Sequence, residues 1–328
     1  MMPWRISTVS GTDGRVSFGA RLAAAMQDVG PLCLGVDPHP GLLKAWGLDD
    51  TAAGLEVFSL TALEAAVNGG TPLVAALKPQ VALYERHGSQ GMAALERLLE
   101  EARDAGILTI ADAKRGDIGS TMAGYAAAWL SDGSPLATDA VTLSPYLGFE
   151  SLRPALDLAA ETGRGVFVLA LTSNPEGASV QHVGHDDGAL ASSASPATSR
   201  PSPADPAANP AVGGGSAAGS VAARIVAAAA AENARLAGTD RLGPVGLVVG
   251  ATVADRAREL GIDLAAVRGA LLAPGYGAQG ATAAGMRAGF ADAWSAVLAT
   301  SSRGILQAGP SFAGLTETLR RNLADLEG

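Results

Sequence analysis

Residues 112–117, Asp-Ala-Lys-Arg-Gly-Asp, place four charged side chains within six positions, directly after the apolar run 106–110, GILTI. Charges at the end of a buried strand are costly unless they pair or take part in chemistry. Residues two apart on a strand share a face, so Asp112 and Lys114 point into the same space. Lys78, near the end of the apolar run 72–79, can reach that space from a neighbouring strand. The order Lys78–Asp112–Lys114–Asp117 alternates in sign, which gives each charge a partner. Flanking carboxylates favour an ammonium group, so Lys114 could act as a positioned acid. At this level a second reading stays open, namely a buried ion-pair network that only stabilises.

Other polar residues gather where apolar runs end. Asp37 closes the run 31–37, and Ser173 closes 165–174. Gln279 lies in the glycine-rich PGYGAQG, 274–280, and Arg303 precedes Gly304 in SSRGI. Glycines permit close backbone approach, and barrels often hold a phosphate with the loops after strands seven and eight. The rear of the chain therefore reads as a phosphate grip.

The elements that must position these residues are eight short runs: 31–37, 72–79, 106–114, 139–148, 165–174, 243–252, 269–277 and 303–310. Each is a nearly continuous hydrophobic stretch, as expected of parallel strands buried on both faces. Between them lie segments with helical spacing, such as GMAALERLLEEARDAG. Eight such repeats predict an α/β fold, a (β/α)8 TIM barrel forming one domain over 1–328. Residues 185–220, dominated by Ala, Ser, Pro and Gly, read as a flexible insertion after the fifth strand. Arg303 is the awkward member. If the eighth strand is 303–310 it lies at the wrong end, and it fits only if that strand begins near WSAVLATS.

Composition narrows the function classes. The chain has 328 residues, a net charge of −9, 48 % hydrophobic and 4 % aromatic residues, and no Lys/Arg block. These features argue for a sizeable core and against a nucleic-acid surface. No segment reads as a membrane span or secretory signal. Cys33 is the only cysteine, which excludes an intrachain disulfide and makes a reducing cytoplasm the expected compartment. His182 and His185 stand without a Cys or carboxylate cluster, so no metal site is expected.

The stretch DAKRGDIGST resembles the D-x-K-x-x-D-I signature of the orotidine 5′-phosphate decarboxylase family. GVDP, LKPQ, LSPYLG, LTSNPEG, GLVVGAT, PGYGAQG and SSRGI resemble, in order, further blocks of its longer bacterial subgroup. Tyr276 departs from that pattern, standing where a small aliphatic residue is commoner, and the insertion is longer than usual. The resemblance implies a dimeric (β/α)8 barrel that converts orotidine 5′-monophosphate to UMP and CO2 in pyrimidine biosynthesis, with no cofactor or metal. It implies that Lys114 protonates C6, that Asp112 faces the substrate carboxylate, and that Lys78 joins the charge array. Asp117 would enter the neighbouring subunit's site, with Ile118 and Thr121 beside it. Asp37 and Lys78 would meet the ribose, Ser173 the pyrimidine edge, and Gln279 and Arg303 the phosphate. The nearest rival is a magnesium-dependent sugar-phosphate decarboxylase or aldolase of the same superfamily. A non-catalytic nucleotide-binding barrel would be expected to have lost some of the array charges.

Overall fold

The computed structural model describes residues 15–185, 219–236 and 240–328. Its strands are β1 (Leu32–Val36), β2 (Ala76–Pro79), β3 (Leu108–Arg115), β4 (Ala140–Leu143), β5 (Gly165–Leu171), β6 (Gly243–Val249), β7 (Gly269–Pro274) and β8 (Val297–Ser301). Each pairs in parallel with its sequence neighbour, and β8 pairs with β1, closing the barrel. The predicted (β/α)8 architecture is the observed one. The eighth strand is corrected: residues 303–310 are not a strand, and Arg303–Leu306 is a short helix following β8. Arg303 therefore stands at the same rim as the other strand-end residues.

Helices line the outside of the barrel. Their starts are capped as the sequence dictates, for example by the Thr51 hydroxyl accepting from the Gly54 amide at 3.2 Å. Leu34, Val36, Leu77, Val166, Val168, Leu247 and Leu271 face this helical layer and form the larger core with it. Helix Val221–Arg235 is further tied in by buried Asn233, whose amide donates to the Val245 and Val267 carbonyls and accepts from the Val245 amide. These bonds fall where the β6–β7 register shifts, so one side chain satisfies backbone groups that the ladder leaves unpaired.

The barrel interior is layered, and the layering positions the site. The inward side chains Cys33, Ala76, Ile110, Ala140, Phe167, Val248, Leu272 and Leu298, one from each strand, belong to a second apolar cluster inside the barrel. Helix Phe18–Val29 closes the barrel beneath it with Phe18 and Leu22. The Phe18 and Phe167 rings meet edge to face, 5.8 Å apart. Gly165 is required here, since a Cβ would lie 2.1 Å from the Phe18 ring. Strand side chains alternate, so the next inward positions are two residues further along. There strands β1 to β4 and β8 switch to Gly35, Lys78, Asp112, Thr142 and Thr300.

The predicted insertion, 185–220, lies almost wholly outside the described residues. Its flanks do fall between β5 and helix Val221–Arg235. They lie side by side, with the Val221 amide donating to the Val183 carbonyl at 2.9 Å.

Candidate active site

Asp112 is the centre of the polar layer. Its Oδ2 accepts from Lys78 Nζ at 2.8 Å and Gln80 Nε2 at 3.0 Å. Its Oδ1 accepts from Lys114 Nζ at 2.6 Å and the Thr142 hydroxyl at 3.1 Å. The Thr142 oxygen in turn accepts the Lys114 amide at 2.9 Å, which fixes the direction in which its proton points. Four donors thus fill both oxygens of a buried carboxylate and hold its plane.

The two ammonium groups differ. The Lys78 side chain is 5 % exposed, whereas that of Lys114 is 47 % exposed. The cause lies in the backbone. Lys114 adopts a left-handed conformation, φ 48°, at the point where β3 slips its register against β4. Such a φ on a non-glycine residue costs on the order of 1 kcal/mol and persists only where neighbours enforce it. Here the Thr142 hydroxyl holds the amide and Asp112 holds the ammonium. Lys78 is locked beneath the carboxylate, and Lys114 lies over it, open to the mouth of the barrel.

Burial pushes the Asp112 carboxyl up, but the Lys78 and Lys114 charges outweigh it and hold the group well below the usual carboxylate range. Burial likewise pulls the Lys78 ammonium down, and the Asp112 and Asp37 charges overcome this and raise it. Cys33, in the apolar layer below, is pushed up to about 12 by burial, which leaves it a neutral thiol rather than a nucleophile.

At the same strand ends, the buried oxygens Asp37 Oδ1, Ser301 Oγ and Ser302 Oγ have no protein hydrogen-bond partner. A Cβ at Gly35 would lie 2.8 Å from Ser302 Cβ and 3.5 Å from Asp37 Oδ1, so both flank the space this glycine leaves open. Buried polar atoms are rarely left unsatisfied, and a cluster of them at strand ends fits a polar ligand.

The remaining predicted residues surround this floor. Ser173, just beyond β5, donates to Gln279 Oε1 at 3.3 Å, which joins the loops after β5 and β7. Arg303 is exposed at the start of the helix after β8. Asp117 is not brought into the array. Gly116 passes so close to β4's exit that a Cβ would lie 2.3 Å from the Ser144 carbonyl oxygen. Beyond it, Asp117 Oδ1 accepts the Ile118 amide at 2.8 Å, and among the described residues Asp117 forms no ion pair. Ile118 and Thr121 are exposed, and Tyr146 and Leu147 on the adjoining loop are exposed too. Arg115 points elsewhere, pairing with Glu85 and lying over the Tyr125 ring.

Sequence reasoning singled out neither Gln80, nor Thr142, nor the hydroxyls of Thr300, Ser301 and Ser302. Gln80 and Thr142 carry the signal that marked Asp37 and Lys78, a polar residue at the end of an apolar run. Among the described residues, no group of three or more His, Cys, Asp or Glu side chains is arranged to hold a metal ion. None of the described helices is long and apolar enough to cross a membrane.

A family model described as orotidine 5′-phosphate decarboxylase / HUMPS family matches residues 30–197. The orotidine 5′-phosphate decarboxylase of Salinispora arenicola (strain CNS-205) is 49 % identical over 311 residues, spanning 94 % of this chain and 96 % of that protein. That of Streptomyces coelicolor is 49 % identical over 299 residues, spanning 91 % and 92 %. A crystal structure from Streptomyces avermitilis matches with a TM-score of 0.80 at 47 % identity, covering 95 % of each chain.

Proposed function

The chain belongs to the orotidine 5′-phosphate decarboxylase / HUMPS family, and from that premise we propose that it converts orotidine 5′-monophosphate to UMP and CO2 in pyrimidine biosynthesis. The reaction breaks the bond between C6 and the carboxylate carbon. CO2 departs, the electron pair stays on C6, and a proton from Lys114 Nζ takes its place. No carbonyl is placed to delocalise that pair, so the site must stabilise it electrostatically. An ammonium fixed against C6 does this, because the charge it meets develops only in the transition state.

The observation that carries this reading is the asymmetry of the array. Of two ammonium groups on one carboxylate, Lys114 is 47 % exposed at the barrel mouth and Lys78 only 5 %. Asp112, held ionised, faces the departing carboxylate, and Lys78 keeps it charged and in place. Asp37 and Lys78 meet the ribose hydroxyls, and the unpaired Asp37 oxygen is suited to accept one. Ser173 reads the pyrimidine edge, and Gln279 and Arg303 take the phosphate. These remote contacts supply binding energy that holds the reacting carbon against Lys114.

Asp117, with Ile118 and Thr121, serves the site of a second copy of the chain. The support is that Asp117 has no ion pair among the described residues and lies beside exposed Ile118, Tyr146 and Leu147, an apolar surface suited to a dimer contact. The reaction needs neither metal nor organic cofactor. The magnesium-dependent sugar-phosphate alternative would need a carboxylate cluster, and the described residues offer none.

The test follows loss of the orotidine-ring absorbance with purified protein in EDTA. Full turnover is expected, and activity that vanishes with EDTA and returns with magnesium would overturn the reading. Mixing inactive Lys114→Ala and Asp117→Ala chains should restore part of the activity, because one hybrid site is then intact. No recovery despite demonstrated subunit exchange would remove the shared site.

A further inference from the structure

The loop after β7 is built from flexible material yet must hold a ligand contact. Residues 274–280, PGYGAQG, include Gly275, Gly277 and Gly280, all at positive φ (114°, 78° and 91°). Glycine loses the most backbone freedom on ordering, so such a loop is costly to hold still. Beyond Pro274, whose carbonyl accepts from the Ala251 amide at 2.8 Å, its backbone bonds are short-range: the Gly277 amide to the Ala281 carbonyl, Ala278 to Tyr276, and Gly280 to Gly277. These shape the turn without fixing it to the body of the protein.

Tyr276 supplies an anchor. It is buried between the two glycines, while the loop from Gly277 to Gly280 is exposed. Its hydroxyl donates to Asp325 Oδ2 at 2.6 Å, a short charge-assisted bond, and the Asn322 carbonyl oxygen lies 3.4 Å away. Both belong to the C-terminal helix Phe312–Glu327. Arg287, on helix Ala283–Phe290 just downstream of the loop, donates to the Leu326 carbonyl in the same turn. The segment that carries Gln279 is therefore bracketed by two ties to a single turn of the last helix. Gln279 projects from the exposed middle of that segment, toward Ser173.

We propose that Tyr276, bonded to Asp325, is a positioning residue that pre-arranges the β7 loop for the phosphate of the nucleotide. The proposal rests on the assignment of Gln279 and Arg303 to the phosphate. A loop already held in its bound shape does not have to be ordered by the ligand, and the ordering cost is removed from binding. Tyr276 touches no ligand in this scheme. It acts through the loop, so its effect is confined to ligands that carry a phosphate.

The test compares inhibition constants for UMP and uridine, with Tyr276→Phe, Asp325→Ala and the double variant. Each single variant should weaken UMP about five- to tenfold, the upper part of what one ordinary net hydrogen bond contributes, and change uridine less than twofold. The double variant should lose no more than either single one, because both remove the same bond. Asp325 is on the surface, so its variant carries the test even if Tyr276→Phe does not fold. Equal weakening of UMP and uridine would show a merely structural role, and an unchanged UMP constant would overturn the proposal outright. Arg303→Ala separates the two levels. If it weakens UMP while the Tyr276 and Asp325 variants do not, the anchor alone is wrong. If it too leaves UMP unchanged, the phosphate assignment falls and takes the anchor with it.

Discussion

The two ends of the barrel are made by the same eight strands and are built on opposite principles. At the N-terminal end, helix Phe18–Val29 seals the interior with Phe18 and Leu22. A cleft of about 200 Å³ on that side is lined by Arg21, Arg103, Arg164, Asp132 and Asp139, among others. Its charges are committed to one another. Arg21 pairs with Asp139, Arg164 binds Asp132 at 2.6 Å and the Thr138 carbonyl at 3.0 Å, and Arg103 bonds the Ala137 carbonyl at 3.3 Å. At the C-terminal end the array is as tightly paired around Asp112, but buried oxygens at the same strand ends have no protein partner. A cavity with charged walls is thus not by itself a site. The distinction lies in whether hydrogen-bonding capacity has been spent within the protein or left for something else.

Three experiments would break or sharpen this contrast. The largest effect is expected for Lys114→Ala. Loss of the proton donor and of the charge at C6 should lower kcat about 10⁴-fold or more, with the thermal midpoint little changed. Near-normal turnover would dissolve the functional side of the comparison. Phe18→Ala is the converse. It should cost about 3–5 kcal/mol in denaturant unfolding, with kcat per folded molecule within twofold of the parent. A large loss of kcat in a folded Phe18→Ala protein would show that the ends are coupled. The smallest effect is the pH dependence of stability. Asp112 has a lower pKa folded than unfolded, so its contribution is present at neutral pH and declines as pH falls below about 4. Lys78 is raised on folding, so its contribution is present at neutral pH and is lost only as pH rises through the folded value, above about 10.4. Urea titrations between pH 3 and 5 should show a shallower acid decline in Asp112→Asn than in the parent; parallel declines would place the acid sensitivity elsewhere.

Much of the barrel could be read directly from the chain, because a parallel strand buried on both faces is a continuous apolar word. That is why each of the first seven runs overlaps one of β1 to β7. The eighth was misread for a physical reason. Ile305 and Leu306 are apolar and buried, but in a short helix, while β8 itself carries Ala299, Thr300 and Ser301 and looks half polar. The alternation rule brought Lys78, Asp112 and Lys114 together by residue type. It could not foresee that Lys114 leaves regular strand geometry, and the openness of its ammonium depends on that departure. Ser301 and Ser302 are unremarkable as letters. Only their burial without partners gives them meaning.

The junction after β5 has a practical consequence. The chain leaves the described barrel at His185 and re-enters at Gly219, where a Cβ on Gly184 would lie 2.8 Å from the Gly219 carbonyl oxygen and Val221 bonds back to Val183. Among the described residues, these contacts hold the two ends close together. Residues added between two ends already held this close carry little penalty, since the closure entropy of a loop grows only slowly with its size. For protein engineering this is a socket, a place to splice in a fluorescent reporter or an affinity module without disturbing the strands that carry the chemistry.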